Sequence, residues 1–173
     1  QIQCWQYEKG YRFSIDSVLV SHFAKIKEGE RILDLGSGCG IIGLVLLHRY
    51  LDKGITVTGI EKQEQLARLA EKNINSNDYF EKFKLICADV ARIREIVEPE
   101  SFSLAICNPP FYSIGRGRMN KEPGIREARH QSSTALDDFV KAASFSVKNK
   151  GRAIFIYPAV QIAELASSCI KSR

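Results

Sequence analysis

The sequence is poor in side chains that gather metals or cross-link a chain. Its three histidines, His22, His48 and His130, are scattered, and its five cysteines, Cys4, Cys39, Cys87, Cys107 and Cys169, contain no Cys-x-x-Cys pair. Structural zinc needs clustered Cys or His ligands, so no metal site is expected. An odd number of widely spaced cysteines, mostly inside apolar runs, reads as reduced core thiols and not as a disulfide framework. Long apolar runs are missing as well, since a stretch such as 41–47 falls far short of the roughly 20 residues that span a bilayer. Glu8, Lys9, Arg12 and Asp16 interrupt residues 1–20 and exclude the apolar core of a signal peptide there. With no repeat or low-complexity tract either, the expectation is a cytoplasmic protein without a membrane partner.

What is present suits one folded unit. A chain of 173 residues that is 45% hydrophobic can bury one substantial core, so a single domain over 1–173 is expected, with an amino-terminal segment and helix over 1–30 and an α/β core over 31–173. The net charge of +5 is a hint about partners, not about fold. Much of it collects between Tyr112 and His130, where Arg116, Arg118, Lys121, Arg126 and Arg129 face only Glu122 and Glu127. His130, beside Arg129, reads as part of this basic loop and not as a general base.

Periodicity orders the elements. Val18, Leu19, His22 or Phe23, and Ile26 recur at helical spacing after Ser14 and Asp16, either of which can cap the helix. A strand over 31–35 meets a glycine turn and an apolar helix over 41–47, and a strand over 55–60 is followed by a helix over 65–74 with Leu66, Leu69, Ala70 and Ile74 on one face. Strands over 83–87 and 104–107 flank a short helix over 90–97. A helix from Asp137 and Asp138, closing on Lys148, Lys150 and Gly151, leads to a strand over 152–157 and a last helix with Ile162, Leu165, Ala166 and Cys169 on one face. Alternating short strands and amphipathic helices imply an α/β fold with a doubly wound, mostly parallel sheet.

In such sheets ligands collect at the carboxyl ends of strands, where this sequence places its unusual residues. Asp34-Leu35-Gly36-Ser37-Gly38-Cys39-Gly40 removes side chains at the first strand-helix turn, so a ligand can approach the backbone; Glu61, ending the second strand, can accept bonds from both hydroxyls of a ribose. The glycines alternate, unlike a Gly-x-Gly-x-x-Gly dinucleotide turn. Asp34 is a carboxylate ill placed beside phosphates and suits an amino-acid ammonium instead. Asp89, after the third strand, fits an adenine amino group, or else a helix cap. Asn108-Pro109-Pro110-Phe111 follows the fourth strand, about seventy residues beyond the glycine turn. An exocyclic amine or side-chain amide is a weak nucleophile because its lone pair is delocalised. The Asn108 side-chain oxygen and the Pro109 carbonyl can each accept one of its hydrogens, the prolines hold those oxygens rigid, and Phe111 can stack on the acceptor's flat face.

These residues resemble the class I S-adenosylmethionine-dependent methyltransferases, with 34–40 as the cofactor loop, Glu61 as the ribose acid, Asp89 as the adenine-side acid and 108–111 as the amino-methyltransferase motif. Gly10-Tyr11-Arg12-Phe13-Ser14-Ile15-Asp16-Ser17, with Asn108 to Tyr112 and Ala128-Arg129-His130, narrows the resemblance to the bacterial valine-tRNA adenine-N6 methyltransferases that act at position 37. The resemblance implies S-adenosyl-L-methionine as cofactor, Arg12 and Phe13 beside it, and a tRNA partner facing Arg116, Arg118, Lys121, Arg126 and Arg129. A protein glutamine N5-methyltransferase and an inactive RNA-binding relative remain as alternatives. Class I members continue into a final antiparallel strand pair, and the expectation is that this pair is missing from a chain shortened at its carboxyl end.

Overall fold

The computed structural model describes residues 1–8, 12–109 and 124–172, with the backbone alone over 124–134. Its centre is β1 (Arg31–Leu35), which pairs in parallel with β2 (Thr56–Glu61) on one side and β4 (Phe102–Cys107) on the other. β3 (Phe83–Cys87) and β5 (Val147–Phe155) complete a parallel sheet of order β3-β2-β1-β4-β5. Side chains alternate across the pleat. On β1, Ile32 therefore joins the core under α1 (Ile15–Phe23), α2 (Ile41–Arg49) and α3 (Glu64–Ser76), while Leu33 and Leu35 join the core under α4 (Ile93–Ile96) and α5 (Gly124–Ser146). The last helix, α6 (Ile162–Lys171), packs on α5. No helix among the described residues is long and apolar enough to cross a membrane.

Three elements depart from the sequence pattern. In α1 the buried face is Ser17, Val20 and Ser21, whereas Leu19 is 54% and Phe23 74% exposed. Two serines can go inside because their hydroxyls are paired: Ser21 Oγ donates to the Ser17 carbonyl at 2.6 Å, and Ser17 Oγ accepts from the side chain of Asn108. α5 starts at Gly124, well before Asp137, and ends at Ser146, before the lysines read as its close. Beyond it, Phe102 pairs with Val147 but Leu104 with Arg152, so 148–151 loop out of the ladder with Lys150 at φ +62°. The regular ladder resumes at Arg152, where the sequence pattern begins its strand.

The amino-terminal segment is strapped along α3 by two asparagines four residues apart. Asn77 exchanges bonds with the backbone of Gln3, at 2.9 and 2.7 Å, and Asn73 with that of Trp5, at 2.7 and 3.1 Å. The match is geometric: four helical residues rise about 6 Å and two extended residues about 6.6 Å. Asn73, fully buried, also donates to the Cys39 carbonyl at 2.9 Å, tying strap and glycine loop to one amide.

Asp34 is fully buried in the middle of the sheet. Its Oδ2 accepts from Ser37 Oγ at 2.7 Å, and among the described residues no hydrogen bond within 3.5 Å reaches its Oδ1. Burial pushes its pKa up to about 7, with the charge of Glu61 adding to the rise and the Ser37 bond opposing it. A carboxyl that holds its proton more tightly folded than unfolded stabilises the fold fully below about pH 4, and that contribution is lost as pH rises through about 7.

Two measurements check these points. Asn73→Ala should lower the unfolding free energy by roughly 3 kcal/mol in urea and speed amide exchange at Trp5; unchanged exchange would mean the strap is held by something else. Asp34→Asn should gain on the parent protein in unfolding free energy as pH rises from about 5 to about 8, by up to ~3 kcal/mol, whereas a pH-independent difference would contradict a protonated buried carboxyl.

Candidate active site

The strand order reverses at β1, since β2 follows on one side and β4 lies on the other, and a crevice opens there at the carboxyl ends. It is walled by Gly36, Gly38, Glu61, Asp89, Asn108 and Phe139. The loop after β1 is folded back by two amides, those of Gly36 and Ser37, which both donate to the Ile60 carbonyl at 2.9 Å. Gly36 and Gly38 adopt φ values of +72° and +58°, which favour glycine. At Gly36 a Cβ would also stand 3.1 Å from the ring of Phe139, so the backbone itself forms the wall.

Glu61 is held more firmly than its position at a strand end requires. Its Oε2 accepts from the Gly38 amide at 2.9 Å and its Oε1 from the Gln63 amide at 2.8 Å, which leaves each oxygen with a further lone pair on a side chain that cannot swing away. Asp89 caps the turn over 90–92, its Oδ1 accepting from the Ala91 amide at 3.0 Å, and also lines the crevice. The cap and the ligand roles are compatible here, because Oδ2 is left over.

Asn108 follows β4 directly, and its half-buried side chain reaches the crevice. Its Nδ2 donates to Ser17 Oγ at 3.0 Å, while its Oδ1 is buried and has no partner among the described residues. A buried acceptor left unpaired is costly, and one on a cavity wall is suited to a donor brought by a ligand.

Several expected site residues lie elsewhere. Asp34 is not among the residues that line the crevice; it is sealed inside the sheet and braces the loop through Ser37. Gly40, at φ +83°, supplies the turn into α2 and no wall. Phe13 packs against the core under α2 and Arg12 faces solvent, so neither borders the crevice: burial captures the ring and hydration the guanidinium. Pro109 is buried and is not part of the wall. Pro110, Phe111, Arg116, Arg118 and Lys121 lie outside the described residues, whereas Arg126 and Arg129 fall on α5 and not in a loop. Among the described residues no three His, Cys, Asp or Glu side chains gather as a metal would need. From the sequence, no site role is expected for Ser17, Asn73 or Phe139. Phe139 could have been found from the apolar spacing of α5, but a serine inside a helix and one asparagine among several leave no pattern.

The sequence profile of the methyltransferase small domain family matches residues 14–122, which hold the glycine loop, Glu61, Asp89 and Asn108. A tRNA1(Val) (adenine(37)-N6)-methyltransferase of Shewanella halifaxensis is 27% identical over 156 residues, covering 90% of this chain and 61% of the relative. Its counterpart in Aliivibrio salmonicida is 29% identical over 152 residues, covering 88% and 62%. The chain thus spans about three fifths of the length of these curated relatives. Among solved structures, an S-adenosylmethionine-dependent O-methyltransferase of Thermotoga maritima superposes with a TM-score of 0.64 at 21% identity, over 95% of this chain and 52% of that one. TrmN from Thermus thermophilus gives 0.65 at 17% identity, over 88% and 40%. These likenesses establish the fold. With the profile covering more than half of the residues, the chain belongs to the methyltransferase small domain family, and S-adenosyl-L-methionine is its cofactor.

Proposed function

We propose that the protein methylates the exocyclic N6 amine of an adenine in RNA, with adenine 37 of a valine tRNA as the acceptor. The observation that carries this reading is the buried Oδ1 of Asn108 on the crevice wall, which has no partner among the described residues. An adenine amine donates its two hydrogens and has a lone pair drawn into the ring. An oxygen that accepts one hydrogen draws the nitrogen toward a pyramidal shape, returns the lone pair to it and supports the positive charge that develops during transfer.

The residues present fit the cofactor. When bound, S-adenosyl-L-methionine supplies an electrophilic methyl group on a sulfonium. Glu61, fixed by two backbone amides, offers lone pairs to ribose hydroxyls, Asp89 offers Oδ2 to an amino group, and the Cβ-free wall at Gly36 and Gly38 admits close approach. No side chain needs to act as a general base, because a methylated amine carrying positive charge loses its proton readily to water. Orientation by Asn108 then supplies much of the rate.

Two observations support RNA as the acceptor's source. The curated relatives are named as methyltransferases of adenine 37 in tRNA1(Val). Arg126 and Arg129 stand three residues apart on α5, the helix that also carries Phe139 to the crevice wall, so basic residues and site share one helix.

The direct test incubates unmodified tRNA with the protein and labelled cofactor and reads the nucleosides by mass spectrometry. N6-methyladenosine is expected; label on a glutamine side chain of protein, with none on tRNA, would overturn the reading. Asn108→Ala should reduce kcat by roughly 100- to 1,000-fold while the Kd for S-adenosylhomocysteine stays within about twofold. Glu61→Ala should weaken S-adenosylhomocysteine by about tenfold or more in calorimetry, and unaltered affinity would remove Glu61 from the cofactor site.

A further inference from the structure

We propose that Ser17 is a positioning residue for methyl transfer, its hydroxyl holding the Asn108 amide with the oxygen toward the acceptor amine. The inference rests on the reading of Asn108 given above. A side-chain amide presents an acceptor at one end and two donors at the other, in nearly the same shape. Turned one way it receives an amine hydrogen; turned the other it sets its own hydrogens against those of the amine. The useful orientation needs a buried acceptor behind the NH2 group. Among the described residues that acceptor is Ser17 Oγ, 3.0 Å from Nδ2 and 91 residues away in sequence.

Ser17 is placed to be steady. It is 2% exposed, it lies in the first turn of α1, its amide donates to the Ser14 carbonyl at 3.2 Å, and its own carbonyl accepts from Ser21 Oγ at 2.6 Å. α1 packs on α2, the helix that begins where the glycine loop ends. The position of the Asn108 amide is thereby referred to the same scaffold that carries the cofactor loop. A serine hydroxyl can donate as well as accept, so it tolerates either orientation of the free protein's amide. Once an amine with two hydrogens enters, the orientation with oxygen outward satisfies both partners, because Ser17 can then act as acceptor. An alanine at 17 would leave Nδ2 buried and unpaired in that orientation, and the amide would turn away from it.

The test compares Ser17→Ala, Ser17→Cys and Ser17→Thr with Asn108→Ala and the Ser17→Ala/Asn108→Ala double variant. Single-turnover methylation of unmodified total tRNA at saturating cofactor is read alongside calorimetry with S-adenosylhomocysteine. Ser17→Ala should slow transfer about tenfold with the S-adenosylhomocysteine Kd within about twofold. Ser17→Cys, close in size and a weak acceptor, should slow it similarly without disturbing packing, and Ser17→Thr, which keeps the hydroxyl, should restore most of the rate. In the Asn108→Ala background Ser17→Ala should add no further loss, since nothing remains to orient. Independently of activity, the side-chain NH2 pair of Asn108 should give a slowly exchanging NMR signal in the parent protein and a fast-exchanging one in Ser17→Ala. Parent-like turnover in Ser17→Ala and Ser17→Cys, or losses that multiply in the double variant, would overturn the inference and leave the reading of Asn108 standing. Full activity in Asn108→Ala would sink that reading itself.

Discussion

The structure depends on the register between β1 and β4. Leu35 lies opposite Cys107, so the residues that follow each strand, the glycine loop on one and Asn108 on the other, emerge side by side at the point where the strand order reverses. No connection in the chain brings them together locally. Two parallel strands buried on both faces do it, with Leu33, Leu35, Ala105 and Cys107 facing one core and Ile32, Leu104 and Ile106 the other. A slip of one residue would turn each apolar set to the wrong face, and the register is therefore set by burial.

Around that juxtaposition, Glu61 and Asn73 are fixed by backbone groups and Asp34 by the hydroxyl of Ser37. Glu61 is gripped by the amides of Gly38 and Gln63, Asn73 by the backbone of Trp5 and Cys39, and Asp34 braces the loop from beneath through Ser37. The bonds of Glu61 to Gly38 and of Asn73 to Cys39 tie sequence-distant elements to the glycine loop. The loop is held from three sides, which suits a site whose chemistry is chiefly alignment. Asn108 is the exception: one end of its amide is paired to α1 and the other end is left for a ligand.

Much of the architecture was legible in the sequence because its causes are periodic. Strands ending at Leu35, Glu61, Cys87 and Cys107 follow from short apolar runs closed by turn residues; of the residues that line the crevice, Glu61 closes its strand, and Gly36, Gly38, Asp89 and Asn108 stand just beyond theirs. What could not be read has a different origin. Ser17 and Ser21 are buried because of bonds that only the fold supplies, so the hydrophobic spacing of α1 pointed to Leu19 and Phe23, which face solvent. Asp34 shares the composition of a ligand-binding carboxylate, yet its neighbours Gly59 and Ile106 enclose it in the middle of the sheet. The start of α5 at Gly124 was hidden because the basic, polar residues over 124–134 carry no apolar stripe.

The most direct measurement is a crystal structure of the protein with S-adenosylhomocysteine and an adenosine-containing oligonucleotide. Asn108 Oδ1 should lie within about 3.2 Å of the adenine N6, with Nδ2 still on Ser17. An adenine amine bound away from Asn108, or met by Nδ2 in place of Oδ1, would contradict the account.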